Sequence, residues 1–190
     1  MPIEIGQQPD SGFDQPMNLL SDCHRRIERF LGAMLSVTRN RRGGELDDRS
    51  REALEKALRY FSAAAPHHTE DEENSLFPRL RRLDAPEVRE AFAQMDRLEA
   101  DHRTAEARHA EVEKLAASWL RTGHLAPDRT ERLLALLEQL QAGYAEHIAL
   151  EDEQLFPLAA KLLSEDELRQ IGREMAARRG VEHDEACGGQ

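Results

Sequence analysis

Apolar positions along the chain recur alternately three and four residues apart, the spacing that lines up one face of an α-helix. The first stripe, Met17, Leu20, His24, Ile27, Leu31 and Met34, predicts an amphipathic helix with His24 on its buried seam. It should stop near Asn40, where Gly43 and Gly44 break the pattern. Asp47 or Asp48 is placed to cap a second helix, with a seam of Leu54, Leu58, Phe61, Ala65, His68, Glu72 and then Ser75 or Leu76. Pro66 and Pro78 fall inside this stripe and predict kinks, because each removes an internal hydrogen bond. A third helix opens at Pro86 and ends at Gly123, with Met95, His102, His109 and Ala116 on one seam position and Leu98, Ala105, Val112 and Trp119 on the other. A fourth, capped by Asp128, has the seam Leu133, Leu137, Leu140, Tyr144, His147, Glu151. Ser164 and Glu167 form a capping box for a short fifth helix with Leu168, Ile171 and Met175 on one face and Gly180 as its stop. That helix could pack on the bundle or on another subunit.

These elements predict an all-α protein, an up-down-up-down four-helix bundle with a short C-terminal fifth helix. The expected organisation is a polar arm over 1–15, the bundle over 16–163, the fifth helix over 164–180 and a flexible tail over 181–190. A length of 190 residues suits one domain with a substantial core, and a composition rich in Ala, Leu, Glu and Arg favours helices over strands.

One stretch carries chemistry and is written twice. His68–Pro78, HTEDEENSLFP, returns 79 residues later as His147–Pro157, HIALEDEQLFP. On a helix, His68 with Glu72 and His147 with Glu151 each stack an imidazole and a carboxylate on one face. A second acid, Glu73 or Asp152, follows each pair, and then Leu-Phe-Pro. The repeat is wider than the motif, since His24 and His102 lie 78 residues apart and each is followed by Arg. Each half is therefore a helical hairpin bearing a lone histidine, then the pair, then Leu-Phe-Pro.

A single His-x-x-x-Glu is weak evidence, because His24, His102 and His109 also have a glutamate four residues on. Four inward histidines on four different helices are harder to assign to packing. Burying them with two carboxylates and no counter-charge would cost several kcal/mol per group, which bound cations would offset. Imidazole plus carboxylate without thiolate suits iron, manganese or zinc, and open positions suit redox-active non-haem iron. Two irons want about twelve ligand positions, of which four nitrogens and two bridging carboxylates fill about eight. An oxo or hydroxo bridge brings this to about ten, leaving room for one more side chain and one exogenous ligand.

The net charge of -11 excludes nucleic acid as an expected partner, since it would repel phosphate. Neither a basic, apolar leader nor a membrane-length apolar run is present, so the expectation is a soluble, cytoplasmic protein without membrane contact. Cys23 and Cys187 form no pair motif and read as reduced, incidental thiols, while His67, His124 and His183 read as solvated.

The order His24, then His68 with Glu72, then His102, then His147 with Glu151, each pair trailed by Leu-Phe-Pro, resembles the hemerythrin-like (HHE cation-binding) domains. The resemblance covers roughly residues 17–160. It implies two iron ions, oxo- or hydroxo-bridged, held by those six residues and reacting with dioxygen, nitric oxide or peroxide. Oxygen-carrying members keep a second histidine four residues after the one matching His102, where this chain has Glu106. Glu106 either completes one shell or stays out and leaves two open positions. As a hard carboxylate it would favour the ferric state and disfavour simple reversible oxygen carriage. Tyr144 is the other candidate, while His109 is about 10 Å along the helix from His102, too far to join. Phe77 and Phe156 either line the ligand pocket as a water-excluding wall or pack the core. The implied function is binding or sensing of a small molecule. The alternatives are a di-iron enzyme that decomposes peroxide or supplies iron in stress defence, and a metal-free helical interaction module. A ferritin-like site is disfavoured, because Glu99/His102 and Glu106/His109 share one helix. A homodimer through the fifth helix is left open.

Overall fold

The computed structural model describes residues 11–181, and among these the chain is helical with no strand. The first ten positions of the expected arm, the tail beyond Val181, Cys187 and His183 lie outside the described residues. Helix α1 is Pro16–Arg41, α2 runs over 48–82, α3 is Pro86–Thr122, α4 runs over 127–162 and α5 is Glu165–Arg178.

Local chemistry sets the ends. Proline stands first in α1, α3 and α4, where its missing N–H costs nothing. Of the two aspartates considered for α2, Asp47 is the cap, accepting from the Ser50 amide at 2.8 Å. Asp128 does not cap α4, contrary to expectation. Ala126 holds that position and Asp128 lies in the first turn, where its charge still suits the helix dipole. Arg42 and Gly43 leave α1 with positive φ. Gly43 cannot carry a side chain, since a Cβ would stand 2.3 Å from the Leu125 carbonyl oxygen of the α3–α4 turn. The Ser164/Glu167 capping box opens α5 as expected.

The internal prolines act by widening rather than breaking the helix. Tyr60–Ala64, Glu72–Leu76 and Glu151–Leu155 are π-helical, and Pro66, Pro78 and Pro157 each follow two residues later. The residue before each proline donates to a carbonyl five residues back: Ala65 to Tyr60, Phe77 to Glu72 and Phe156 to Glu151. A wider turn makes room for a ring that would otherwise strike the carbonyl four residues earlier.

Helix α1 contacts α2 and α4, and α3 contacts the same two, so the four close into a bundle. The core falls into two apolar clusters. One joins Ile27–Val37 positions of α1 to Leu54, Val112, Trp119 and Leu133–Leu140. The other joins Met17–Leu20 positions to Leu76–Leu80, Val88–Leu98, Leu155–Ala159 and α5. On every long helix the inward histidine lies between the segments serving the two clusters. Helix α5 packs on its own bundle, with Ile171 and Met175 fully buried. Gly172 lets the Phe13 carbonyl approach it closely. No helix among the described residues is long and apolar enough to cross a membrane.

Candidate metal centre

His24, His68, Glu72, His102, His147 and Glu151 are all brought into the layer between the two apolar clusters. One atom from each of His24, His68, Glu72 and Glu151 lies within 4.8 Å of the others, and the same holds for Glu72, His102, His147 and Glu151. The two glutamates belong to both groups. Within the first, His24 Nε2 is 3.1 Å from Glu151 Oε2, and His68 Nε2 is 3.2 Å from Glu72 Oε1. Within the second, His102 Nε2 is 3.3 Å from Glu72 Oε2, His147 Nε2 is 3.2 Å from Glu151 Oε2, and the two imidazole Nε2 atoms are 3.1 Å apart.

These approaches are close, but the carboxylates are not hydrogen-bonded. All four oxygens of Glu72 and Glu151 are buried without a hydrogen-bond partner, as is His24 Nε2. Buried polar atoms seldom go unsatisfied, and charged ones cost most. Convergent Nε2 and carboxylate atoms suit metal ions in the chemistry of the donors as well as in distance.

The outer side of the imidazoles is organised by residues to which sequence reasoning gave no role. Asp152 Oδ1 is 3.0 Å from His24 Nδ1 and also accepts from Ser21 Oγ at 2.7 Å. Glu73 Oε1 is 2.8 Å from His102 Nδ1. Asp101 Oδ2 approaches His147 Nδ1 at 3.8 Å. The signal for the first two was the second acid that recurs in both copies of the motif. A carboxylate on Nδ1 fixes the tautomer that offers Nε2 to a metal.

The metal-free electrostatics follow from this crowding. Burial would strip the His24 proton, but the Asp152 and Glu151 carboxylates hold its pKa up at about 10. Burial and the neighbouring Glu151 charge push Glu72 well above the carboxylate range. Burial acts on Glu151 in the same direction, yet His147 and His24 hold it below that range. His68 is driven well below the usual imidazole value by burial and then by the His24 charge.

The remaining candidates stand around the centre rather than in it. Glu106 is exposed and belongs to neither group, and neither does Tyr144. Tyr144 Oη instead pairs with His109 Nε2 at 3.1 Å, and the His109 ring stacks on Phe61 at 4.4 Å. Burial holds His109 neutral, with its pKa lowered to about 4. These side chains, with His68, His102 and His147, line a chamber of 280 Å³. Phe77 is fully buried in the core, and Phe156 stacks on the His24 ring at 5.4 Å, so neither lines that chamber. His67 is half-buried beside Glu70, His124 is exposed, and Cys23 is a buried free thiol.

Residues 15–159 match the family described as the Hemerythrin HHE cation binding domain. The chain is also 29% identical, over 89% of its length and 92% of the relative's, to an uncharacterized protein of Haemophilus influenzae. The family match spans most of the chain and contains all six clustered residues, so the protein belongs to the hemerythrin HHE cation-binding domain family.

Proposed function

We propose that the protein is a non-haem di-iron protein that binds or senses dioxygen or a related small molecule, nitric oxide or peroxide. The observation that carries this reading is the set of four buried, unpartnered carboxylate oxygens on Glu72 and Glu151, two residues common to both His/Glu groups. In this reading His24 and His68 would hold one ion and His102 and His147 the other, with Glu72 and Glu151, common to both groups, contributing to each. The bundle itself reads as up-down-up-down. The N-terminal ends of α1 and α3 and the C-terminal ends of α2 and α4 contribute to one apolar cluster, and the opposite ends to the other.

Two irons, oxo- or hydroxo-bridged, would supply redox-active coordination positions for the exogenous molecule. The chain's own residues do the rest. Asp152 and Glu73 orient imidazoles, the two apolar clusters keep water from either end, and the chamber beside His68, His102 and His147 gives a ligand somewhere to sit. Glu106, exposed and outside both His/Glu groups, is a further residue of that chamber's lining.

The test is metal content and visible spectrum after anaerobic Fe(II) loading and exposure to air. Two irons per chain with oxo-to-ferric charge-transfer bands support the reading. One zinc, or a colourless protein, overturns it in favour of another metal or a metal-free module.

One observation favours turnover as a second reading: the Tyr144–His109 pair places an exchangeable proton inside the chamber. Steady gas release from peroxide by the iron-loaded protein, abolished by His102→Ala, would establish an enzyme. Stable adducts with no activity above free iron would exclude it.

A further inference from the structure

Among the six positions at which the two motif copies differ, two flank the glutamate of the His-x-x-x-Glu pair. One residue before it and three after it, the second copy has Leu150 and Gln154, while the first has Asp71 and Ser75, both fully buried. A buried carboxylate requires partners, and those of Asp71 come from the last residue of α5 and the residue that caps it. Arg178 Nη1 donates to Asp71 Oδ1 at 2.7 Å, and Arg179 Nη2 donates to Oδ2 at 2.7 Å. Arg178 also donates through Nη2 to Ser75 Oγ at 2.6 Å. One guanidinium thus spans the π turn that starts at Glu72. Glu174, on the same face of α5, takes both Arg79 nitrogens, at 3.0 and 2.8 Å.

Docking alone does not explain this arrangement. A buried ion pair contributes little more than an apolar contact of the same size, and often less. A leucine, as at position 150, would serve a helix that needed only to adhere. What the polar contacts add is direction, because a planar guanidinium fixes both groups it joins. The Glu72 carboxylate meets imidazoles at 3.2 and 3.3 Å but accepts no hydrogen bond, so the placement of its backbone bears directly on where it lies.

We propose that Arg178 is a positioning residue for Glu72, and that α5 is a clasp whose closure sets how tightly the centre holds its ions. This rests on the reading of the His/Glu groups as a two-ion centre. By linkage the effect is reciprocal: ions in the centre tighten α5 by the factor that α5 tightens the ions.

The experiment is chelator competition for iron on the full chain. Arg178→Met is expected to weaken binding by about tenfold or more, the scale of outer-shell losses. Arg178→Lys, which keeps a donor for Asp71, should recover part of that loss. Leu168→Ala, which weakens an apolar contact of α5 but keeps Arg178 in place, should cost clearly less affinity than Arg178→Met despite a lower melting temperature. Hydrogen exchange on the wild-type protein does not depend on any variant folding, and α5 amides should exchange about tenfold more slowly with iron than without. Wild-type affinity in Arg178→Met, a loss no larger than that of Leu168→Ala, or α5 exchange indifferent to iron would each overturn the clasp. A wild-type protein that takes up no iron would overturn the two-ion reading itself, and the clasp with it.

Discussion

Asp152 Oδ1 lies 3.0 Å from Nδ1 of His24, a residue 128 positions earlier in the chain. The reciprocal contact runs the other way, from Glu73 in the first hairpin to His102 in the second. Each half of the duplicated chain therefore orients the lone histidine of the other.

Removing either carboxylate frees an imidazole to rotate or to change tautomer. Asp152→Asn and Glu73→Gln are each expected to weaken metal binding by roughly 10–100-fold while the fold persists. Competition against a chelator of known affinity measures this, and wild-type affinity in both variants would make the contacts incidental.

Metal loading should release protons. His24 is held up at about 10, so the metal-free protein keeps that proton at pH 7, and the upward shift of Glu72 acts in the same direction. The sign follows: affinity rises with pH, by about tenfold per unit for the His24 proton, and falls as the solution is acidified. Calorimetry in buffers of different ionisation enthalpy counts the protons, and a count of zero would contradict the assigned protonation.

Glu106 belongs to neither His/Glu group, although it lines the chamber beside them. Glu106→Gln should leave metal stoichiometry and the charge-transfer spectrum at their wild-type values. Loss of one ion per chain would return Glu106 to the coordination shell.

Glu174 gives the fold an acid-side dependence away from the centre. Partial burial would raise its pKa, but hydrogen bonds from Arg79, Ser75 and Gln170 bring it down to about 2. A depressed carboxylate stabilises the fold above its unfolded value, near 4.5, and that contribution disappears as pH falls toward 2. Solvent reaches the pair, so the contribution is about 1 kcal/mol. Denaturant midpoints of wild type and Glu174→Gln should differ at pH 7 and converge near pH 2.

The helical seams and the six clustered residues were legible because both depend on periodicity, and a duplicated His-x-x-x-Glu survives a shift of half a turn. Other features depend on geometry that periodicity does not encode. Pro66 and Pro78 announced an interruption, but not that the helix would absorb them in π turns, nor that two of those turns would begin on Glu72 and Glu151. Glu73 and Asp152 were visible as a repeated second acid, yet their partners sit on the opposite hairpin, which no local spacing indicates. Asp71 lies among acids at positions 70–73 and carries no spacing signal of its own. Its burial follows from Arg178 and Arg179, more than a hundred residues downstream.

The sharing of Glu72 and Glu151 between the two groups has a consequence for how the centre comes apart. Each hairpin brings three of the four members of its own group and borrows the fourth from the other hairpin. In the two-ion reading each ion would lose a ligand if the halves parted, so retention would depend on the seam between them. Opening that seam would weaken both positions in one event, and bound ions would act as a lock that engages fully only when the two halves have met.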